Sequence, residues 1–137
     1  MIDSAKIDIG TELPELTPPP ISRTTLALFC GASGDHNPIH IDLDVARSAG
    51  LDDVFAHGML SMAYLGRLLT DWVPQERIRS FEVRFSAVTP VHAEPRCTGR
   101  VVSIDVLNGE RVASLQLSVI LGDGTSTLTG GAVIAID

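Results

Sequence analysis

Ten consecutive residues, SGDHNPIHID at positions 33 to 42, hold two carboxylates and two imidazoles around an Asn37-Pro38 step. A carboxylate and an imidazole that converge on one water can orient it, take its proton and return a proton elsewhere, because histidine exchanges protons near neutral pH. Asp35 and His40 are the candidate pair. Pro38 pushes Asn37 out of the helical region and removes a backbone donor, so both side chains sit on a stiff irregular segment rather than on helix turns. The bland alternative is an aspartate that caps a turn and a half-buried histidine with its ring nitrogens satisfied. Asn37 fits a supporting Asx turn before the proline. His36 and His40 have the spacing of helical metal ligands, but Pro38 lies between them and no glutamate follows His36. No metal site is expected, and His36 and His92 read as solvent-facing.

The second chemical signal is AHGML, residues 56 to 60, at the start of an apolar run. The first amides of a helix lack internal partners and sit at its positive end, so the Gly58 N–H could bind an oxygen that becomes negative during reaction. Gly58 could equally serve only to turn the chain into the helix. His57 and Met59, its neighbours, are candidate substrate contacts, with His57 also readable as a capping or packing residue. Ser61 is no nucleophile elbow, and GxSxG, Walker-type and GxGxxG patterns are all missing.

These residues need elements to hold them. LPELTPPP, residues 13 to 20, is too proline-rich for a helix and should run extended over the surface. SRTTLALFCGAS offers Ser22 or Thr24 as a cap for a short helix, and Asp42 caps LDVARSA, about two turns ending at Gly50. Residues 57 to 73 suit a helix of roughly four turns that stops before Pro74, apolar round most of its circumference and so suited to burial. Alternation and β-branched residues then mark strands at IRSFEVRFSAV, RCTGRVVSIDVL, RVASLQLSVIL and STLTGGAVIAI. Asn108-Gly109 and Gly122-Asp123-Gly124 are hairpin turns, and Gly130-Gly131 marks a bulge or a close backbone approach. One helical block followed by antiparallel strands predicts an α+β fold with the sheet wrapped round a buried helix.

At 137 residues the chain suits a single domain with a continuous core. The formal net charge of −7 argues against partners that are nucleic acid or anionic membrane. Scattered arginines could still cluster about a small anion. There is neither a signal-peptide pattern nor an apolar stretch long enough for a membrane span, which suggests a cytoplasmic protein. Cys30 and Cys97 have no ligand spacing and read as reduced thiols.

FCGASGDHNPIHIDLDVARSAG, continued by VFAHGMLSMAYLG, resembles the MaoC-like family of (R)-specific enoyl-CoA hydratases and (3R)-hydroxyacyl-ACP dehydratases, whose signature joins a GDxNPxH loop to an HGM helix start. VRFSAVTPV at 83 to 91 matches the family's later strand and turn. NPIH, AHGML and VRF occur in the same order in the B-subunit type of the mycobacterial dehydratase. The resemblance implies a hot-dog fold, an Asp35–His40 catalytic pair and a Gly58 amide for the thioester oxygen. It further implies reversible hydration of enoyl-CoA or enoyl-ACP without a cofactor, in a homodimer or in a heterodimer with another hot-dog subunit. One departure is Gly66, where some related hydratases carry a serine. The alternatives are a hot-dog thioesterase, or one subunit of a heteromer that needs its partner.

Overall fold

The computed structural model describes residues 1–137. Helices α1 (Arg23–Ser33), α2 (Leu43–Ser48) and α3 (Gly58–Trp72) precede strands β1 (Ile78–Phe85), β2 (Pro95–Leu107), β3 (Glu110–Leu121) and β4 (Ser126–Ala135). The strands form one antiparallel sheet in the order β1-β4-β3-β2. It curls round α3, the hot-dog arrangement.

Local chemistry sets the helix limits. Ser22 Oγ accepts from the Thr25 amide at the start of α1, and Gly34 ends the helix in the left-handed region at φ 76°. The Asp42 carboxylate accepts from the Asp44 and Val45 amides to start α2. α3 stops at Val73, ahead of Pro74. Leu60, Leu65, Leu68, Leu69 and Trp72 bury one side of α3, and the last four pack against Val101, Leu115, Leu117, Leu128 and Ile134 of the sheet. Each fully buried leucine contributes about 1.5–3 kcal/mol of transfer free energy. The burial is less complete than its apolar circumference suggests. Met59, Ala63, Arg67 and Asp71 form an exposed stripe, with Arg67 and Asp71 paired at 3.7 Å.

The N-terminal segment also departs from expectation. It is extended, but it seals the outer edge of β2: Leu13 N–H donates to Gly99 O, and Leu16 and Cys97 exchange two bonds. Prolines are tolerated on a sheet edge, and here the amides beside them, Leu13 before Pro14 and Leu16 after it, do the pairing. Leu13 is buried as a result, while Ile21, whose N–H donates to Ala93 O, is buried in a second cluster with Leu26 and Val54. The opposite edge of the sheet, along β1, has no partner strand. β1 stops at Phe85, three residues before the apolar pattern does, as the Ser86 and Ala87 amides turn to Thr127 O.

Both hairpins form where expected. Asn108 and Gly109 take φ 52° and 78°, the pair of positive values that a type I′ turn requires. Gly130 is a close approach rather than a bulge: a Cβ there would run into Glu82 O and lie 2.9 Å from Val83 Cα on β1. Register shifts fall elsewhere, between Ile78 and Ser80, Val101 and Ser103, and Val119 and Ile120. No helix is long and apolar enough to cross a membrane.

Two measurements check this packing. Gly130→Ala should lower the unfolding free energy by about 1–3 kcal/mol or more through overpacking, in urea titrations. Gly66→Ala should be neutral or stabilise by up to about 1 kcal/mol, since it gains helix propensity and its Cβ meets only Phe81 Cε1 at 3.6 Å. Equal losses in the two would reject the close approach. Cys97, wholly buried, has its thiol pushed up to about 12 by desolvation. Aromatic-disulfide titration at neutral pH should leave Cys97 unmodified in the folded protein and modify it in guanidinium.

Candidate active site

The loop from Gly34 to His40 is built by short-range hydrogen bonds. Asp35 N donates to Ser33 Oγ, Asn37 N to Asp35 Oδ1 at 3.2 Å, and Ile39 N to Asn37 Oδ1 at 3.1 Å. Asn37 thus makes the Asx turn that was expected of it. It caps a 3₁₀ turn, Pro38–His40, that carries the imidazole inward. Pro38 supplies the first position of that turn, where a missing N–H costs nothing.

His40 is buried and its Nδ1 lies 2.7 Å from Phe55 O. A carbonyl only accepts, so Nδ1 carries the proton and Nε2 of the neutral ring is bare. That Nε2 lies 3.9 Å from Asp35 Oδ2, too far for a direct hydrogen bond. The two carboxylate oxygens therefore differ: Oδ1 is held by the Asn37 amide, and Oδ2 faces the imidazole with the side chain 52% exposed.

Behind His40 lies His57, its ring stacked at 3.8 Å between centroids and inclined by 26°. His57 is 1% exposed and donates Nε2–H to Asp35 O at 3.1 Å, while Nδ1 has no partner. Burial holds its pKa below the ordinary imidazole value, outweighing the opposite pull of the Asp35 carbonyl. Of the structural readings offered for His57, capping is not seen, since its side chain makes no cap bond, and the ring is packed inside. Ligand atoms of Asp35, His40 and His57 lie within 4.8 Å of one another. As a cation site the set is poor, because His57 Nε2 is taken up by the Asp35 carbonyl and its bare Nδ1 is buried, which leaves only His40 Nε2 and the Asp35 carboxylate as ligands.

Gly58 opens α3, and its N–H makes no hydrogen bond within the chain. It lines a cleft of about 340 Å³ together with Phe55, Ala56, Phe85, Val88, Thr89 and Leu128. Phe85 explains the glycine: a Cβ at position 58 would lie 2.9 Å from its ring. Asp35 and His40 do not line this cleft; Phe55 joins the two places, with its carbonyl on His40 and its residue in the cleft wall. Met59 is 56% exposed and outside the cleft. His36 and His92 are exposed, as expected.

Arg23 forks onto both oxygens of Asp53 at 2.9 and 2.6 Å, and the Val54 amide donates to the same carboxylate. This ties the start of α1 to the segment that presents Phe55. The guanidinium holds the Asp53 carboxyl below its usual range. The Phe55 carbonyl carries no signal in residue type, and the Phe85 ring lies far from the loop in sequence. Cys30, read from the sequence as a reduced thiol with no role, points its Sγ–H at Asp35 O from the last turns of α1.

Comparison with known proteins bears on the family and the fold. Residues 5–121 match the model of the MaoC like domain. The chain is 30% identical over 106 residues to 3-hydroxyacyl-thioester dehydratase Z of Mycobacterium tuberculosis, covering 72% of this chain and 70% of that one. It superposes on R-hydratase PhaJ1 from Pseudomonas aeruginosa with a TM-score of 0.85 at 25% identity, over 98% of this chain and 85% of the other. The fold is shared with a chain of the ChsH1-ChsH2 complex from Mycobacterium tuberculosis, at TM-score 0.81 and 20% identity, over 95% and 98% of the two chains. The loop, the helix start and the wrapped helix thus lie within a matched span of known kind, and the chain belongs to the MaoC-like hydratase and dehydratase family of hydro-lyases.

Proposed function

We propose that the chain catalyses reversible hydration of trans-2-enoyl thioesters, carried on CoA or ACP, to (3R)-3-hydroxyacyl thioesters. The observation that carries this reading is the bare Nε2 of His40 facing Asp35 Oδ2 across 3.9 Å. A water about 2.8 Å from both atoms would see them about 90° apart, close enough to its own bond angle to donate to each. The pair therefore suits a held water better than a direct ion pair.

In hydration, Nε2 takes one proton of that water as its oxygen bonds to C3, while Asp35 Oδ2 accepts the other hydrogen and fixes the direction of attack. The C2=C3 electrons move onto the thioester oxygen, which the free Gly58 amide stabilises at the positive end of α3. The proton then passes from Nε2 to C2 as the carbonyl re-forms. Dehydration is the reverse, with Nε2 removing the C2 proton and returning it to the departing hydroxyl. The acyl group uses the apolar cleft beside Gly58.

The reading includes a second hot-dog subunit. β1 has a free edge, and Phe85, Val88 and Met59 leave apolar surface uncovered beside it. Relatives of this fold include a named two-protein complex, ChsH1-ChsH2, so the partner is a second copy or a different hot-dog chain.

Wild-type protein given an enoyl-CoA should consume the conjugated C=C without releasing free thiol; thiol release with the alkene intact would instead mark a thioesterase. Asp35→Asn and His40→Ala should each lower kcat by about 10²–10⁴-fold with unchanged circular dichroism, and normal turnover in both would reject the site. Sedimentation of the pure chain should give a dimer where the partner is a second copy, and a monomer inactive until another hot-dog chain is added where it is not. A monomer that turns over substrate alone would reject the partner.

A further inference from the structure

The peptide carbonyl of Asp35 accepts from two side chains at once. Cys30 Sγ–H approaches it at 3.0 Å and His57 Nε2–H at 3.1 Å. The donors come from different parts of the fold, Cys30 from the last turns of α1 and His57 from the position just before α3. Both are buried, at 5% and 1% exposed. A carbonyl oxygen has two lone pairs, so these two donors saturate it.

The loop they grip is otherwise lightly held. Gly34 stands at φ 76° just before it, the Asp35 side chain is half exposed, and the carboxylate's only bond within the chain is the 3.2 Å contact to the Asn37 amide. His57 meanwhile supports the other member of the pair, since its ring face lies against His40. One side chain thus touches the backbone of Asp35 with its edge and the ring of His40 with its face. The bare Nδ1 of His57 has no donor to hold it, so the Asp35 carbonyl is what fixes the tautomer.

We propose that Cys30 and His57 are positioning residues that clamp the Asp35 carbonyl and so hold Oδ2 and the His40 ring at the separation a shared water requires. This rests on reading Asp35 and His40 as the reacting pair. The clamp touches neither substrate nor the acyl cleft, so its loss should lower kcat and leave KM in place. Misplacing a reacting group by about an ångström costs up to about a hundredfold in rate.

The test uses matched pairs. Cys30→Ala removes a donor and Cys30→Ser restores one; His57→Phe keeps a stacking ring without a donor, and His57→Gln places an amide N–H near the position of Nε2. With enoyl-CoA as substrate, the Ala and Phe variants should lose about ten- to hundredfold in kcat at unchanged KM, and the Ser and Gln variants should recover most of it. Asp35→Asn is assayed alongside. If Asp35→Asn is inactive while Cys30→Ala and His57→Phe keep wild-type kcat, the clamp is wrong and the reacting pair stands. If Ser and Gln recover nothing, or the loss appears in KM, donation to the carbonyl is not the cause and the proposal is overturned. Normal turnover by Asp35→Asn overturns the clamp together with the pair. Should His57→Phe fail to fold, the two Cys30 variants decide the matter by the same criteria.

Discussion

The bond from His40 Nδ1–H to the Phe55 carbonyl, 2.7 Å long, determines what the rest of the site can do. It fixes which nitrogen of the ring is bare, and it aims that nitrogen at Asp35. With the proton on the other nitrogen, the imidazole would offer a donor to the carboxylate and close the gap directly, leaving no basic lone pair for a water. A ring free to exchange tautomers would serve the proposed chemistry only part of the time. The backbone carbonyl is a suitable partner because it accepts and never donates, and Phe55 is held by a segment with its own anchors. These are the two-pronged Arg23–Asp53 contact, the Val54 amide on the same carboxylate, and the Ala56 amide on Thr89 O.

The larger fold matters to the site through α3. The sheet surrounds the inner side of this helix with Leu65, Leu69 and Trp72 in the core, which sets the position and direction of its N-terminus. Two functional consequences meet there. The Gly58 amide is left without a partner beside an apolar cleft, and His57, one residue earlier, packs under both the Asp35 loop and the His40 ring. From outside the helix, the Phe85 ring on β1 leaves no room for a Cβ at position 58 unless the ring shifts. Strand, helix start and loop are thus mutually constrained, so the site is a property of the wrapped sheet rather than of the ten-residue loop alone.

Much of this was legible in the sequence because it depends on short-range patterns. The caps at Ser22 and Asp42, the Asx turn at Asn37, the stop before Pro74 and the Asn108-Gly109 turn follow from side-chain chemistry within a few residues. Asp35, His40 and Gly58 stand out as candidates by type and spacing. The omissions are long-range or lie in the backbone. The Phe55 carbonyl is fifteen residues from His40, and any residue could have supplied it. The pairing of Leu13 and Leu16 with β2 was hidden by the prolines, which argue for an extended chain but do not say what lies beside it. The exposed stripe of α3 was hidden by composition: Met59 and Ala63 are apolar, and only the line they form with Arg67 and Asp71 shows that they face outward. His57 stood as a ligand contact or as a capping or packing residue, and it lies buried without a side-chain cap bond.

The tautomer of His40 is open to direct observation. Long-range ¹⁵N–¹H correlation spectra of the imidazoles, recorded on the resting protein at neutral pH, distinguish a protonated ring nitrogen from a bare one. His40 should carry its proton on Nδ1 and have a bare Nε2. A His40 protonated on Nε2 with Nδ1 bare would contradict it, because the ring would then meet Asp35 as a donor and hold no lone pair for the water.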